Sequence, residues 1–388
     1  MEEQKKIPEL RFAGFTDDWN ERELSLLAEF SKGQGYSKND LKATGAPIIL
    51  YGRLYTNYQT VIDEVDTYTD AQENSYYSYG GEVIVPASGE TQEDIVRASV
   101  VAKSNIILGG DLNIVKPNES INSNFLALTI SNGRVYRELV KKAQGKSVVH
   151  IRNGDLKEAI IPYPRKVEQK QIGSFFKNID ELITKHQKKH KRLVTLKKSM
   201  LEKMFPKEGQ SVPEIRFKGF EEDWNEMKLN QIASYQSSSL TVGDAQQNGS
   251  YELYDANSLI GYTNEETLSE NYITIIKDGS GVGRLRVLPK NTGFIATLGA
   301  IVPNKGIDLT FLLCCLLNTD FNSHIIGATI PHIYFSSYGE VVYCVPTTEE
   351  QQKIGVHFMN LDRLIENHKK QLQKLKKFKQ SLSEKMFV

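Results

Sequence analysis

The chain contains little cysteine and no long apolar segment. Its three cysteines, Cys314, Cys315 and Cys344, form no CxxC pair, and the first two lie in the apolar run LTFLLCCLLN. This usage gives neither a disulfide framework nor a zinc-ligand spacing. The longest apolar run, near residues 309–317, is far shorter than the ~20 residues that cross a bilayer. The opening residues MEEQKK are charged, without the apolar core of a secretory signal. We therefore expect a cytoplasmic protein.

Sequence motifs that carry enzyme chemistry are also missing. The chain has no GxxxxGK[ST] phosphate loop, no HExxH pair and no DPPY-like methyltransferase tetrapeptide. A glycine-rich run, residues 279–283, follows a predicted strand, but the next residues, RLRVLP, favour another strand. A dinucleotide or adenosylmethionine site would need a helix there. We therefore predict a hairpin turn at residues 279–283. The 48 basic and 48 acidic residues cancel, so the net charge indicates no particular partner.

Two sequence frames occur twice. PELRFAGFTDDWN (8–20) returns as PEIRFKGFEEDWN (213–225), with nine of thirteen positions identical and an offset of 205 residues. EQKQIGSFF (168–176) returns as EQQKIGVHF (350–358), with an offset of only 182 residues. The sequences enclosed by the frames therefore differ in length by 23 residues, which is the difference between the two offsets. A duplicated scaffold that holds two unlike inserts predicts two different recognition surfaces.

A strict alternation of four- and three-residue steps follows each EQ frame. Such a pattern is the heptad seam of a coiled coil. Two matched segments in one chain favour an antiparallel pair, which would place the inserts at opposite ends. The seam includes His186 and Lys197, matched by His368 and Lys379, and polar seam residues fix register or extend to water. The positions are Ile172, Phe176, Ile179, Ile183, His186, His190, Leu193, Lys197, Met200 and Met204, and Ile354, Phe358, Leu361, Ile365, His368, Leu372, Leu375, Lys379, Leu382 and Met386.

The helical segments are basic, and the rest of the chain is acidic. Residues 165–205 carry a net charge of +8 and residues 349–388 carry +4, which leaves −12 for the remainder. A basic helix pair can follow phosphates, although a charged run is also typical of a solvated helix face.

Each insert consists of short β-rich runs followed by one helical stretch. The first contains APIILYGRLY, GGEVIVPA and ASVVAKSNIIL, and then FLALTISNGRVYRELVKKAQ. The second repeats this plan and ends in the helical LTFLLCCLLNTDFNSHII. We predict an α+β fold with two duplicated domains, mainly antiparallel sheets and two long helices as an antiparallel coiled coil. The predicted segments are a first insert domain 1–164, a central helix 165–206, a linker 207–212, a second insert domain 213–346 and a C-terminal helix 347–388.

In these repeated features the chain resembles the specificity subunit of type I restriction-modification systems. The resemblance rests on PE-x-RF-x-GF-x-x-DW, EQ-x-x-IG and the G-x-x-x-x-HI close of each insert, all present twice. It implies that each insert is a target recognition domain that reads one half of a split, asymmetric DNA site. It also implies no catalysis in this chain and recruitment of two methyltransferase subunits and of restriction subunits. S-adenosylmethionine, ATP and Mg²⁺ would then belong to those partner subunits.

The differences between the halves indicate which residues read bases. Residues shared by both halves, such as His150 with His332 and Gly145 with Gly327, are expected to fold the domains or dock partners. Arginine pairs with guanine, and serine or tyrosine can meet bases or phosphates. The glycine-rich turn is either a plain turn or a close contact with DNA. The candidate DNA-binding residues are Arg53, Tyr55, Tyr58, Ser88, Arg97, Lys146 and Arg152, and Ser237, Ser238, Ser239, Lys277, Ser280, Arg284 and Arg286.

Two other functions are compatible with a duplicated architecture. A protein–protein adaptor with two binding domains on a coiled-coil strut would explain the repeat and the neutral charge. Loss of DNA-dependent function on replacing insert arginines would argue against it. A duplicated methyltransferase is disfavoured by the missing cofactor motifs, and adenosylmethionine binding by the purified chain would revive it.

Overall fold

The computed structural model describes residues 7–145, 148–207, 209–327 and 329–388. The chain forms two compact units, Met1–Lys188 with Lys369–Val388, and Lys189–His368. The sequence prediction divided the chain where the long helices start, whereas the units divide it inside both helices. Each unit therefore contains half of each long helix. Among the described residues, no helix combines the length and the apolar content that a membrane crossing requires.

The first half of the chain is built from short strands and helices that precede a long helix. Short 3-10 helices occupy Leu24–Leu26 and Lys38–Asp40. The elements are β1 (Asn20–Glu23), β2 (Ala28–Lys32), β3 (Ala46–Ile49), α1 (Arg53–Thr56), β4 (Val61–Ile62), β5 (Tyr68–Thr69), β6 (Glu82–Pro86), β7 (Ser88–Gly89), α2 (Gln92–Ile95), β8 (Ser99–Val101), β9 (Ile107–Leu108), β10 (Leu112–Pro117), α3 (Ser123–Ile130), α4 (Gly133–Lys142), β11 (Val149–His150), α5 (Asn153–Lys157), β12 (Ile160–Tyr163) and α6 (Lys166–Lys203).

The second half repeats this order with fewer elements. Its 3-10 helices occupy Val242–Asp244 and Phe321–His324. The elements are β13 (Asn225–Lys228), α7 (Leu229–Ile232), β14 (Ala233–Ser237), β15 (Tyr251–Tyr254), β16 (Leu259–Thr263), β17 (Tyr272–Ile276), β18 (Leu285–Leu288), β19 (Thr292–Phe294), β20 (Leu298–Pro303), α8 (Leu309–Leu317), α9 (Phe335–Tyr338), β21 (Val342–Val345) and α10 (Thr348–Met386).

The sheets of the two units correspond strand by strand. The main sheet has the order β2-β10-β6-β8-β4 in the first unit and β14-β20-β17-β18 in the second. Smaller sheets β5-β3-β9 and β16-β15-β19 match one another, as do the pairs β1-β12 and β13-β21. Most pairings are antiparallel, while β3 with β9, β15 with β19 and β4 with β8 are parallel. The predicted α+β class with mainly antiparallel sheets is confirmed.

One segment accounts for most of the length difference between the inserts. Residues 50–67 connect β3 to β5, and the corresponding connection from β15 to β16 is the four-residue turn 255–258. The longer connection forms α1 and adds β4 to the edge of the main sheet beside β8. We call residues 50–67 the extra segment.

Each hydrophobic core joins an insert to halves of both long helices. In the first unit, Phe176 of α6 and Phe387, after α10, pack with Phe125 of α3. In the second, Phe205, after α6, contacts both Phe311 of α8 and Phe358 of α10. The long helices are therefore part of each core.

The predicted heptad seam is confirmed. All its positions are buried or half-buried. Within the first unit Lys379 bonds Asp180 at 2.6 Å, and within the second Lys197 bonds Asp362 at 2.6 Å. In both units a residue further along α6 would face one further back along α10, so the helix segments run antiparallel. The seam lysines therefore form ion pairs that define the pairing register.

Two local predictions were wrong. APIILYGRLY is a strand only to Ile49, after which Arg53 begins helix α1. The predicted single helix over residues 125–144 is two helices, α3 and α4, because Gly133 adopts a left-handed φ of +65° between them. The apolar run around the vicinal cysteines is a buried helix as predicted. Burial raises the pKa of Cys314 to about 12, which makes it an unreactive thiol.

Candidate nucleic-acid interface

The repeated frames are linked by a buried ion pair in each unit. The guanidinium of Arg11 donates two hydrogen bonds to Glu168, at 2.6 and 2.7 Å. Arg216 repeats this with Glu350 at 2.8 and 2.9 Å. Both carboxylates are 1% exposed. The arginine of PE-x-RF and the glutamate of EQ-x-x-IG therefore fasten the start of each insert domain to its long helix.

The glutamine of each EQ frame positions the helix inside the insert. The Gln169 side-chain oxygen accepts a hydrogen bond from the Asn122 amide at 2.7 Å, and its NH₂ group donates to the Pro164 carbonyl at 2.9 Å. Gln351 accepts from the Asp308 amide at 2.9 Å. Asn122 and Asp308 are the N-cap residues of α3 and α8. The shared frame therefore has a structural role in both units, as predicted for shared residues.

The matched histidines close each insert in the same backbone geometry. His150 exchanges backbone hydrogen bonds with Gln144, at 2.8 and 3.1 Å. His332 does so with Ile326, at 2.8 and 2.9 Å. Gly145 and Gly327 lie in the connecting turns with positive φ, and an added Cβ at either would meet a backbone carbonyl within 2.5 Å. These shared residues form a matched turn, which we call the histidine turn.

Three candidate DNA-binding residues of the first unit lie in the extra segment. The Arg53 guanidinium, whose side chain is 9% exposed, bonds Asp66, the Gln59 side chain and the Glu64 carbonyl. Its hydrogen bonds are made inside the segment, so Arg53 has a structural role rather than a free guanidinium for a base.

The tyrosines of the extra segment reach the connection between β6 and β8. The Tyr55 hydroxyl donates to the Ser88 carbonyl at 2.7 Å, and Tyr58 donates to the Ala98 carbonyl at 3.2 Å. Burial raises the pKa of Tyr55 well above its ordinary value. Arg97 lies 6.0 Å from the Tyr58 ring and is ion-paired with Asp94. The structure thus brings these candidates together around residues 87–98.

The remaining first-unit candidates differ in accessibility. Ser88 is only 8% exposed, and its hydroxyl lies 3.1 Å from His150 Nδ1. Arg152 is exposed at the start of α5, where its backbone amide donates to Asp155 at 2.8 Å. Lys146 lies outside the described residues. Ser88 is therefore placed to hold His150, and Arg152 keeps a free surface position.

In the second unit the glycine-rich run is a hairpin turn between β17 and β18, as predicted. Gly279, Gly281 and Gly283 have φ values of +88°, +83° and +86°. Lys277 is half-buried before the turn, and Ser280 is exposed within it. We call residues 277–284 the glycine hairpin.

The two arginines after the glycine hairpin contact their own unit. Arg284 is exposed, and it donates to the Ala256 carbonyl at 2.6 Å and to Asn257 at 2.7 Å. The Arg286 guanidinium lies 4.8 Å from the centroid of the Tyr254 ring. Both arginines are held by the turn that replaces the extra segment, which orients them without neutralising their charge.

The serine cluster lies on an adjacent strand end. Ser237 and Ser239 are exposed, and the Ser238 hydroxyl accepts from the Leu240 amide at 3.1 Å. The Leu240 carbonyl accepts from the Ala296 amide at 2.7 Å, and the Thr297 carbonyl accepts from the Lys277 amide at 3.0 Å. These bonds place the serines and the glycine hairpin on the same loop cluster.

Sequence reasoning missed Asp278 in the glycine hairpin. Its carboxylate lies 2.7 Å from His332 Nδ1, and the two residues form an antiparallel bridge. The histidine was recognisable because it occurs in both halves. Its partner was not, because the connections between β6 and β8 and between β17 and β18 differ in length, so Ser88 and Asp278 do not align at either constant offset.

Comparison with known proteins gives a consistent family assignment. The model of the type I restriction modification DNA specificity domain matches residues 16–194 and 221–377. The MjaVIII specificity subunit of a type I restriction enzyme from Methanocaldococcus jannaschii is 24% identical over 275 residues, 63% of this chain. The match spans 65% of that relative's length. A protein named as the MjaX specificity subunit, from the same organism, is 23% identical over 94% of this chain and 92% of its own.

Solved structures share the fold. The S subunit of a type I restriction-modification system from M. genitalium has a TM-score of 0.71 at 19% identity, over 98% of this chain and 99% of that one. A chain from a study of assembly and conformational transition of the type I R-M system has a TM-score of 0.52 at 15% identity, over 94% and 96%. With two matched domains covering most of its length, the chain belongs to the type I restriction modification DNA specificity family.

Proposed function

We propose that this chain is the DNA-recognition subunit of a type I restriction-modification complex, with each insert reading one part of a split, asymmetric site. In this function the chain positions partner subunits on DNA and performs no chemistry itself. The adaptor alternative is less favoured, because membership of a DNA specificity family adds nothing to it.

The observation that carries the proposal is one frame that holds two unlike loop clusters. The Arg11–Glu168 and Arg216–Glu350 pairs and the histidine turns repeat in both units. The connection that faces the histidine turn does not repeat. In the first unit it runs through α2, and in the second it is the glycine hairpin. A constant frame with variable loops supports recognition of two different half-sites by one chain.

The chemistry of the exposed loop residues suits a duplex. Arg152 and Arg284 are exposed arginines that can bind guanine edges or phosphates, and Ser237, Ser239 and Ser280 can bond either. Arg53, Ser88 and Tyr55 are less suitable because their polar atoms are bonded internally or are buried. We expect Arg284 and Ser280 to contribute more to DNA binding than Arg53.

Partner subunits complete the proposed complex. Two equivalent frames support docking of two methyltransferase subunits, and these would supply S-adenosylmethionine-dependent adenine methylation. Restriction subunits would supply the ATP- and Mg²⁺-dependent steps. Because the chain outside the helical segments carries a net charge of −12, those partners would also supply much of the contact with phosphates. Tight DNA binding by the isolated chain at physiological salt would contradict this division of labour.

Single-molecule methylation sequencing tests the proposal directly. The chain is expressed with its neighbouring methyltransferase subunit in a methylation-free host, beside a strain that lacks only this chain. A split methylated motif that requires the chain would establish the function and identify both half-sites. Absence of any motif, with the assembled complex shown by co-purification, would reject it in favour of the adaptor alternative.

A replacement series in the same host separates DNA reading from folding. Arg284→Ala should weaken methylation at the second half-site, while Arg53→Met should act on the stability of the first unit. Equal effects of both variants on protein yield, with no change of motif, would count against base or phosphate contact by Arg284.

A further inference from the structure

The two histidine turns face different residues at the same place in the fold. In the first unit Ser88 pairs with His150 across β7 and β11, and in the second Asp278 pairs with His332. The flanking backbone bonds correspond. The Ile151 amide donates to the Ala87 carbonyl at 3.2 Å, and the Ile333 amide donates to the Lys277 carbonyl at 2.9 Å. A neutral hydroxyl in one unit therefore stands where the other has a carboxylate.

Holding the histidine does not require a carboxylate. The Ser88 hydroxyl meets Nδ1 of His150 at 3.1 Å, and one oxygen of Asp278 meets Nδ1 of His332 at 2.7 Å. The second oxygen of Asp278 lies 3.9 Å from the Lys277 ammonium, beyond hydrogen-bond distance. Asp278 thus has an acceptor beyond the one that the histidine uses.

Asp278 is also accessible, unlike its counterpart. Its side chain is 31% exposed, whereas Ser88 is 8% exposed. The next residue, Gly279, has open space where a Cβ would project, and its φ of +88° disfavours a larger residue. A second molecule can therefore approach the backbone of the glycine hairpin closely beside Asp278.

The charge around Asp278 makes a phosphate an unsuitable ligand for it. Lys277 and Arg284 flank the carboxylate in sequence and can attract the DNA backbone. A carboxylate repels phosphates, but it can accept a hydrogen bond from an amino group on a base edge in the major groove. Resting on the proposed function, we infer that Asp278 is a base-reading residue of the second unit, which accepts from the exocyclic amino group of cytosine or adenine.

His332 is the positioning residue in this arrangement. Its backbone is fixed by Ile326 and its ring by Asp278 Oδ1, so it holds the carboxylate in one orientation. The free oxygen, Oδ2, then points its acceptor capacity at the DNA. The first unit presents a buried hydroxyl at the equivalent place, so its half-site would not be read by a carboxylate there.

Two replacements of Asp278 separate base reading from anchoring. Asp278→Ser copies the anchor of the first unit and removes the free acceptor. Asp278→Asn keeps the size and one acceptor oxygen but adds an amide donor. Glu266→Gln, an exposed acidic residue of the same insert, controls for the loss of one negative charge. Each variant is expressed with the methyltransferase subunit and its methylated motif is determined.

Base reading predicts a change at one position of the second half-site only. Discrimination at that base pair should fall about 5- to 150-fold in Asp278→Ser, as expected for one lost base contact. Asp278→Asn should shift preference toward adenine, which asparagine pairs bidentately. The first half-site and the Glu266→Gln motif should be unchanged. A methylated motif in the wild type with no change in either Asp278 variant would overturn the inference while leaving the proposed function intact.

A complete loss of methylation is also decisive. The variant complex is then assayed in vitro on duplexes with a randomised second half-site. Recovery on a sequence that differs at one base pair supports base reading by Asp278. Failure on every sequence, with the complex assembled, shows that Asp278 is needed only for the fold and overturns the inference. If the wild type itself yields no motif, it is the proposed function that fails.

Discussion

Arg11 and Glu168 form a two-bond ion pair although 157 residues separate them in the chain, and Arg216 and Glu350 repeat it across 134 residues. The two separations differ by the 23 residues by which the inserts differ in length. The frame therefore closes in the same way whatever length of insert it encloses, and this allows the loops to vary independently.

Breaking either ion pair should destabilise one unit selectively. Glu168→Gln leaves the Arg11 guanidinium without its carboxylate, and removing one partner of a buried pair costs about 3–5 kcal/mol. Glu350→Gln should have the same effect in the second unit. Calorimetry with hydrogen exchange would assign each loss. The matched control is Lys42→Met, which removes the exposed Lys42–Asp70 pair and should change the melting temperature little. Equal shifts for Glu168→Gln and Lys42→Met would contradict the prediction.

The two seam lysines should differ in importance. Lys197 bonds Asp362, whereas Lys379 bonds Asp180 and also the Thr60 hydroxyl at 3.2 Å. Lys379→Met removes both contacts of α10 in the first unit, so it should lower the free energy of unfolding more than Lys197→Met. We expect about 1.5–3 kcal/mol for each charge-assisted bond lost. Chemical denaturation of both variants compares them.

Thr60→Val provides the control for the second contact of Lys379. It removes the hydroxyl in the extra segment and leaves the Asp180 ion pair in place. The difference between Lys379→Met and Lys197→Met should therefore be close to the effect of Thr60→Val alone. A Lys197→Met variant that is the less stable of the two would refute this account.

The glycines of the EQ-x-x-IG frames allow close contact between a long helix and the insert. A Cβ at Gly355 would lie 2.5 Å from Asp308 Oδ1, the oxygen that caps α8, and one at Gly173 would lie 2.9 Å from Asn124 Cβ. Alanine should therefore destabilise both sites despite its better helix propensity. In α5, Gly154 has nothing within 4 Å, so Gly154→Ala should stabilise by about 0.5–1 kcal/mol. Thermal melts of the three variants give the comparison, and stabilisation by Gly355→Ala would disprove the close contact.

The long helices should act as a ruler in the proposed complex. One heptad inserted after Lys188 in α6, with one after Lys370 in α10, adds ~10.5 Å of helix and keeps the Lys197–Asp362 and Asp180–Lys379 pairs. The gap between the half-sites should then grow by up to about three base pairs at ~3.4 Å each. Methylation sequencing measures the gap. A single-helix insertion, which breaks one pairing register, should abolish the motif, and an unchanged gap in the double insertion would remove the ruler hypothesis.

The sequence by itself determined the duplicated organisation, the α+β class and the heptad seam. These depend on local periodicity and on residues that recur at a constant offset, such as Arg11 with Arg216, and both are visible without coordinates. The hairpin at residues 279–283 was predictable for the same reason, because a strand pattern follows the glycines where a cofactor site needs a helix.

The tertiary structure decided which candidate residues keep free polar groups. Arg53 looked like a base reader, yet Asp66 and two further acceptors bind its guanidinium. Asp278 looked ordinary, yet a bridge to His332 leaves one of its oxygens accessible. Such outcomes depend on contacts between residues distant in sequence, and loop lengths that differ between the halves hide the correspondence of Ser88 and Asp278. Local pattern fixes the frame of this protein, while long-range packing fixes what its loops present.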